Sequence, residues 1–191
     1  MCGRYSFEAS EKELIERYQL KEMTYDYEEK EEIYPTNISP IILPDAKLAL
    51  LTWGFSPSFA KRPLINARGE TILEKPTFSK AFKTKRCLVP ATAFFEWEKI
   101  DEHKEKRKIS VKDQTIFSMA GICDSFLDKN GNEAVMYSII TTEANGQMKK
   151  IHDRMPVILT PETEADYLNL NHAPEKVQKL LIPYEKELSI V

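Results

Sequence analysis

The chain has 191 residues, 42% of them hydrophobic and 30% charged, with a formal net charge of −3 at pH 7. That length suits a single domain over residues 1–191 with one core. The acidic balance excludes bulk attraction to polyanions, so any nucleic-acid contact must come from a local basic patch. No apolar run reaches the length of a membrane-spanning helix and no signal-peptide pattern is visible, so no membrane association is expected. The cysteines, Cys2, Cys87 and Cys123, are odd in number, widely spaced and without a CxxC pair. This argues against a disulfide framework or a zinc site, and for a reducing, cytoplasmic location. Cys87 and Cys123 lie in or beside apolar runs and read as inert core residues.

Ser10-Glu11-Lys12-Glu13 is a capping-box pattern ahead of Leu14, Ile15 and Tyr18, which predicts a short first helix. Residues 21–33 are acidic and polar and read as a solvated connection. Ile41–Leu43 and Leu48–Trp53 read as strands joined by a turn at Pro44-Asp45. Ser56 to Ile65 reads as a loop, and Thr77–Phe82 as a helical turn. The centre is strand-rich: residues 87–89, 93–98, 108–111, 116–123 and 134–141 are β-branched or aromatic runs. Charged or Gly/Asn turns such as 128–132 separate them. Residues 157–160 add a short strand. Thr160-Pro161-Glu162 then opens a helix with Pro at its first position, and Asn171–Pro174 opens another with Val177, Leu180 and Leu181 inward. No βαβ unit repeats. The fold class expected is α+β, with a β-rich, largely antiparallel sheet or barrel-like core and a few peripheral helices.

Several residues suggest chemistry. Removal of Met1 would leave Cys2 with an amine and a thiol on adjacent carbons. Such a 1,2-aminothiol condenses with an aldehyde to an imine and then closes a thiazolidine. Reference values of roughly 7.7–8.0 for the amine and about 8.5 for the thiol make both partly nucleophilic near neutrality. The aromatics around Trp53-Gly54-Phe55 either stack bases or pack on the core. Asn66-Ala67-Arg68-Gly69-Glu70-Thr71 offers an amide and a guanidinium, or simply a turn with a surface Arg–Glu pair. Glu96 lies among Phe94, Phe95 and Trp97. It is either a desolvated carboxyl that handles a proton near neutral pH, or an edge-strand side chain reaching solvent. His152, between a polar stretch and a short apolar strand and next to Asp153 and Arg154, is either a structural or surface histidine or the best general acid–base candidate, because His103 falls in a charged turn and His172 near a helix start, both read as solvent-facing. Lys75, Lys80, Lys83, Lys85 and Arg86 form a basic run without an acid, by default a solvated face.

Taken together, Cys2-Gly3-Arg4-Tyr5, Trp53-Gly54, Asn66 to Thr71, Arg86 to Pro90, Phe94-Phe95-Glu96-Trp97 and His152 to Pro156 resemble the SOS response-associated peptidase (SRAP) family, in family order over nearly the whole chain. The resemblance implies a protein that meets abasic sites in single-stranded DNA and crosslinks them through Cys2, shielding the lesion. Nothing in the sequence suggests an obligate dimer, so a monomer is expected, nucleoid-associated when bound to DNA; no ligand cluster is offered for a metal, and no cofactor is expected. Met1 removal, by the protein itself or by an aminopeptidase, and lyase activity are further implied possibilities. Mapped onto this chain, Cys2, Asn66, Glu96 and His152 would carry the chemistry. Arg4, Arg68 and Arg154 would bind flanking phosphates, with Trp53 and Trp97 supporting the strand or walling the pocket. Gly69 replaces the usual Ala, Phe59 a frequent Trp, and the loop before Asn66 is short. Two rival readings remain: a thiol peptidase with Cys2 as nucleophile and His152 as base, and a non-catalytic nucleic-acid-binding module.

Overall fold

A computed structural model describes residues 2–20, 27–128 and 130–191. Met1, the 21–26 part of the acidic connection and Lys129 of the 128–132 turn lie outside the described residues.

Strand β1 (Tyr5–Phe7) leads into α1 (Glu11–Tyr18). The Ser10 hydroxyl accepts from the Glu13 amide and the Glu13 carboxylate accepts from the Ser10 amide, so the predicted capping box closes. Leu14 and Tyr18, one turn apart, form the buried stripe. Next come β2 (Lys30–Ile33), β3 (Ile38–Leu43) and β4 (Lys47–Trp53), the last two joined by a 3-10 turn over Pro44–Ala46. After β5 (Asn66–Arg68) and α2 (Pro76–Thr84) the chain runs through β6 (Arg86–Ala91), β7 (Ala93–Ile100), β8 (His103–Val111), β9 (Phe117–Leu127) and β10 (Glu133–Glu143). It ends with β11 (Arg154–Pro156), β12 (Ile158–Leu159), α3 (Pro161–Leu168), α4 (Pro174–Gln178) and β13 (Leu188–Ile190).

One sheet has the order β13-β8-β7-β1-β2. In the other, β10 pairs with β4, β4 with β3, β3 with β6, β6 with β9, and β9 with β10 again. Five strands therefore close on themselves, which leaves that part of the sheet without an edge. All but the pairings of β10 with β4 and β5 are antiparallel. The α+β, β-rich expectation holds.

The short strands β1, β2, β11 and β13 escaped the sequence reading. At three or four residues each they carry no periodicity, and only pairing makes them strands. Residues 30–33, read as connection, are β2. His103 opens β8 and stays exposed, while His172 is only partly exposed and contacts Asn169 and Asp166. Arg86 leaves the supposed basic face altogether: it is fully buried. Its guanidinium donates to the carbonyls of Tyr167 (2.6 Å), Phe82 (2.7 Å) and Asn169 (2.7 Å), tying the ends of α2 and α3 to the barrel.

Candidate functional site

β1 lies between β2 and β7, with Tyr5 opposite Phe94, and the Phe95 amide donates to the Arg4 carbonyl at 2.9 Å. Continued back toward the N-terminus, that antiparallel register runs Cys2–Arg4 alongside Phe95–Trp97. Glu96 is thus an inner-strand residue, since β7 is covered by β8 and β1, and it is 3% exposed. The edge-strand alternative for Glu96 fails for this reason.

Cys2 is fully buried in the unprocessed chain. Burial pushes its thiol far above the ordinary value, and the charge of nearby Glu96 pushes it the same way. The sulfur is therefore a protonated thiol at neutral pH here, against the expectation of partial ionisation. It donates weakly to the Arg4 carbonyl at 3.8 Å. Asn66, from β5, donates its amide Nδ2 to the Cys2 carbonyl at 2.9 Å, while its Oδ1 is buried and accepts from nothing. β5 is held in place by parallel pairing with β10, Asn66 opposite Ile139 and Arg68 opposite Thr141. A pocket of about 250 Å³ opens beside Asn66, lined by Arg68, Thr71, Lys75, Phe78 and Thr141 among others.

The His152 ring nitrogen Nδ1 faces two groups: the Arg154 amide at 2.9 Å and Asp153 Oδ1 at 2.9 Å. These make opposite demands, because the amide needs a lone pair on Nδ1 and the carboxylate needs a proton there. The amide is fixed by the chain two residues away, whereas the Asp153 side chain is 87% exposed and can turn into water. Nδ1 therefore serves as the acceptor, which leaves Nε2 as the nitrogen that can carry a proton toward a ligand.

The residues expected to bind DNA divide sharply. Arg68 is exposed at the pocket. Arg4 is sandwiched between Tyr34 (4.4 Å to the ring centre) and Trp97 (4.9 Å) and paired with Glu32 at 2.9 Å. Trp97 is partly exposed, so it can wall a cleft. Arg154 is engaged by Glu70 through both guanidinium arms. Trp53 is fully buried; its indole donates to the Ile65 carbonyl, and its ring packs edge-on against Tyr5 and parallel to Tyr137. It offers no face to a base and can only support the site from beneath. Gly54 beside it has φ +109°, and a Cβ there would sit 2.7 Å from Pro63 Cβ, so the Trp-Gly pair serves the turn into the loop. Phe59 at the tip of that loop is 71% exposed.

Two features escaped the sequence reading. Glu70 was read as a surface partner of Arg68, and only the fold pairs it with Arg154. Behind Cys2, the Tyr5 hydroxyl donates to Ser39 Oγ at 2.8 Å and lies 2.6 Å from the Tyr137 hydroxyl, a buried chain built from three distant strands. No local signal marks either, since partners lie 34 to 132 residues apart. Among the described residues, no cluster of three or more His, Cys, Asp or Glu side chains could hold a metal ion, and no helix is long and apolar enough to cross a membrane.

The chain is 36% identical over 199 aligned positions to the abasic site processing protein YoqW of Bacillus subtilis, covering 98% of this chain and 89% of that one. It is 32% identical to the abasic site processing protein HMCES of Xenopus tropicalis, over 72% of this chain and half of the frog protein. A crystal structure of a protein from Bacteroides thetaiotaomicron superposes with a TM-score of 0.87 at 32% identity, covering 99% of this chain and 90% of that one. The family model described as SOS response associated peptidase (SRAP) matches residues 1–191. With a family model matched over its whole length, this chain belongs to the SRAP family.

Proposed function

We propose that this protein captures abasic sites in single-stranded DNA through Cys2, once Met1 is gone, as a covalent thiazolidine. The observation that carries the reading is Cys2 itself: held by Asn66, flanked by Glu96, and buried where a terminal residue would ordinarily fray. The names of the relatives above, abasic site processing proteins, support it.

The chemistry follows from the raised thiol. With the sulfur protonated, the amine is the first nucleophile. It adds to the aldehyde carbon of the ring-opened deoxyribose, and loss of water leaves an imine. The sulfur then bonds to the imine carbon, and its proton passes by way of the Glu96 carboxylate to the imine nitrogen. The nitrogen ends as a ring secondary amine, so one aldehyde and one aminothiol give one thiazolidine and one water. His152, with its proton on Nε2, is the acid that protonates the sugar ring oxygen and frees the aldehyde. The unpartnered Asn66 Oδ1 accepts from the sugar hydroxyl or the new ring N–H. In this reading Arg4, Arg68 and Arg154 bind the flanking phosphates, with Trp97 walling the cleft. The same burial weakens the peptidase reading, because a thiol peptidase needs a thiolate.

The test is a denaturing gel with an abasic single-stranded oligonucleotide. Wild type is expected to give a slow-migrating covalent band, Cys2→Ala none, and Cys2→Ser only an imine that borohydride traps. A chain retaining Met1 is expected to be inert, which intact mass will show. Cleavage of peptides in trans without any DNA adduct would overturn the reading in favour of a peptidase, and a shift on native gels only would leave a binding module.

A further inference from the structure

We propose that Cys87 and Cys123, inert core residues when read one at a time, form a redox pair. Hydrogen peroxide converts them reversibly to a disulfide that ties β6 to β9, with Cys123 the sulfur oxidised first. Strand register brings the two together. β6 and β9 pair antiparallel, with Cys87 opposite Gly121 and Arg86 opposite Ile122. The Cys123 amide donates to the Lys85 carbonyl at 2.9 Å, so the ladder runs on by one more pair. Side chains two residues apart on a strand share a face, and Cys87 and Cys123 are therefore diagonal neighbours on one face of adjacent strands. The residue directly opposite Cys87 is a glycine, and the Cys87 sulfur leans into the space left free: a Cβ on Gly121 would lie 2.9 Å from Cys87 Sγ. The two thiols share a hydrogen bond. Sulfurs already in contact can bond without any change of strand pairing.

The pair is asymmetric. Cys87 is fully buried, whereas Cys123 stands where β6 begins and keeps 5% of its surface in water. The Cys123 sulfur lies 3.5 Å from the Lys85 carbonyl, and the Lys85 ammonium, paired with Asp124 at 2.6 Å, is close by. The hydrogen bond from Cys87, helped by that ammonium, outweighs burial and holds the Cys123 thiol below its ordinary value; burial pushes the Cys87 thiol well above its own. The thiolate is the nucleophile, so the first step falls to Cys123. Its sulfur bonds to one peroxide oxygen, the O–O bond breaks, and the leaving hydroxide takes up a proton as water. This leaves a sulfenic acid on Cys123. The Cys87 sulfur, giving up its proton, then bonds to the Cys123 sulfur, and the S–O bond breaks with loss of a second water. Two thiols and one peroxide give one disulfide and two waters. A dithiol reductant reverses the bond by thiol–disulfide exchange. Cys2, whose thiol burial keeps protonated, is the slower competitor for peroxide.

The test uses the full-length protein without DNA, so it stands apart from the abasic-site reading. Reduced protein is treated with hydrogen peroxide, denatured, alkylated with iodoacetamide and mapped by mass spectrometry without reduction. Wild type is expected to lose two hydrogen atoms in intact mass, with the Cys87 and Cys123 peptides joined and Cys2 still alkylated. Dithiothreitol is expected to restore three alkylated cysteines. The order of events is read from single variants in the presence of dimedone, which traps sulfenic acids. Cys87→Ala is expected to leave a dimedone adduct on Cys123, and Cys123→Ala to leave Cys87 unlabelled. Lys85→Met, which removes the ammonium but not the pair, is expected to slow disulfide formation in an otherwise wild-type chain. The proposal is overturned if Cys87 and Cys123 both stay alkylatable in wild type at a peroxide dose that oxidises glutathione in the same tube. It is equally overturned if the disulfide found involves Cys2, or if Cys123 passes to a sulfinic acid with Cys87 still free. Dimedone on Cys87 in Cys123→Ala, with none on Cys123 in Cys87→Ala, would overturn the assigned order.

Discussion

Asn66→Asp isolates the contact that holds the nucleophile. The substitution keeps size and shape, removes the donor and puts a carboxylate in its place. In the native structure Asn66 Nδ2 donates to the Cys2 carbonyl at 2.9 Å. A carboxylate there presents lone pairs to a lone pair, so the bond is lost at about 1 kcal/mol, and a buried carbonyl left unpaired costs about 1–3 kcal/mol more. Opening of the cleft to DNA and water refunds part of the second figure. A net loss of about 1.5–3 kcal/mol in positioning corresponds to a rate lower by roughly 10–150-fold. The assay is single-turnover crosslinking with excess abasic oligonucleotide, followed on denaturing gels, with a melting curve to confirm folding. A folded Asn66→Asp protein that crosslinks as fast as wild type would refute the idea that this amide organises the N-terminus.

The remaining predictions concern the frame. Arg86→Met strips three carbonyls of their donor, two of them in buried hydrogen bonds, and is expected to destabilise the protein by about 3–5 kcal/mol, a fall of roughly 10 °C in melting temperature; an unchanged melting curve would show that water replaces the guanidinium. Gly69→Ala places a Cβ 3.0 Å from Leu181 Cβ and 3.2 Å from its Cδ1, so a loss of about 1–2 kcal/mol is expected, smaller when Leu181→Val is added; additive losses from the two changes would refute the contact. For Glu70, desolvation works upward, but the Arg154 hydrogen bonds outweigh it and hold the carboxyl below its ordinary value of 4.5. A folded value below the unfolded one means stability that is present above pH 4.5 and lost as pH falls through the folded value. Urea titrations of wild type and Glu70→Gln are expected to differ near neutrality and converge in acid; a constant difference would contradict this.

Local chemistry was readable from the chain alone wherever a few adjacent residues decide the outcome. The Ser10 capping box, Pro161 at the start of α3 and the Pro44-Asp45 turn act over three or four residues, and all three are found. So were the central strands, because runs of β-branched and aromatic side chains need no partner to be recognised. The motif set around Cys2 was legible as a set, and the family it pointed to is the one the whole chain matches.

What only the tertiary structure decided is which polar groups leave water and whom they meet. Glu96 became an inner residue because β1 and β8 flank β7, Trp53 became core because Tyr5 and Tyr137 close over it, and Arg86 moved from a supposed solvated face to a buried cap. Arg154 met Glu70, 84 residues away, only through the fold. Burial, with Glu96 alongside, is what pushes the Cys2 thiol up. Desolvation and ion pairing depend on neighbours brought from distant sequence by strand register, and no window of adjacent residues contains that information.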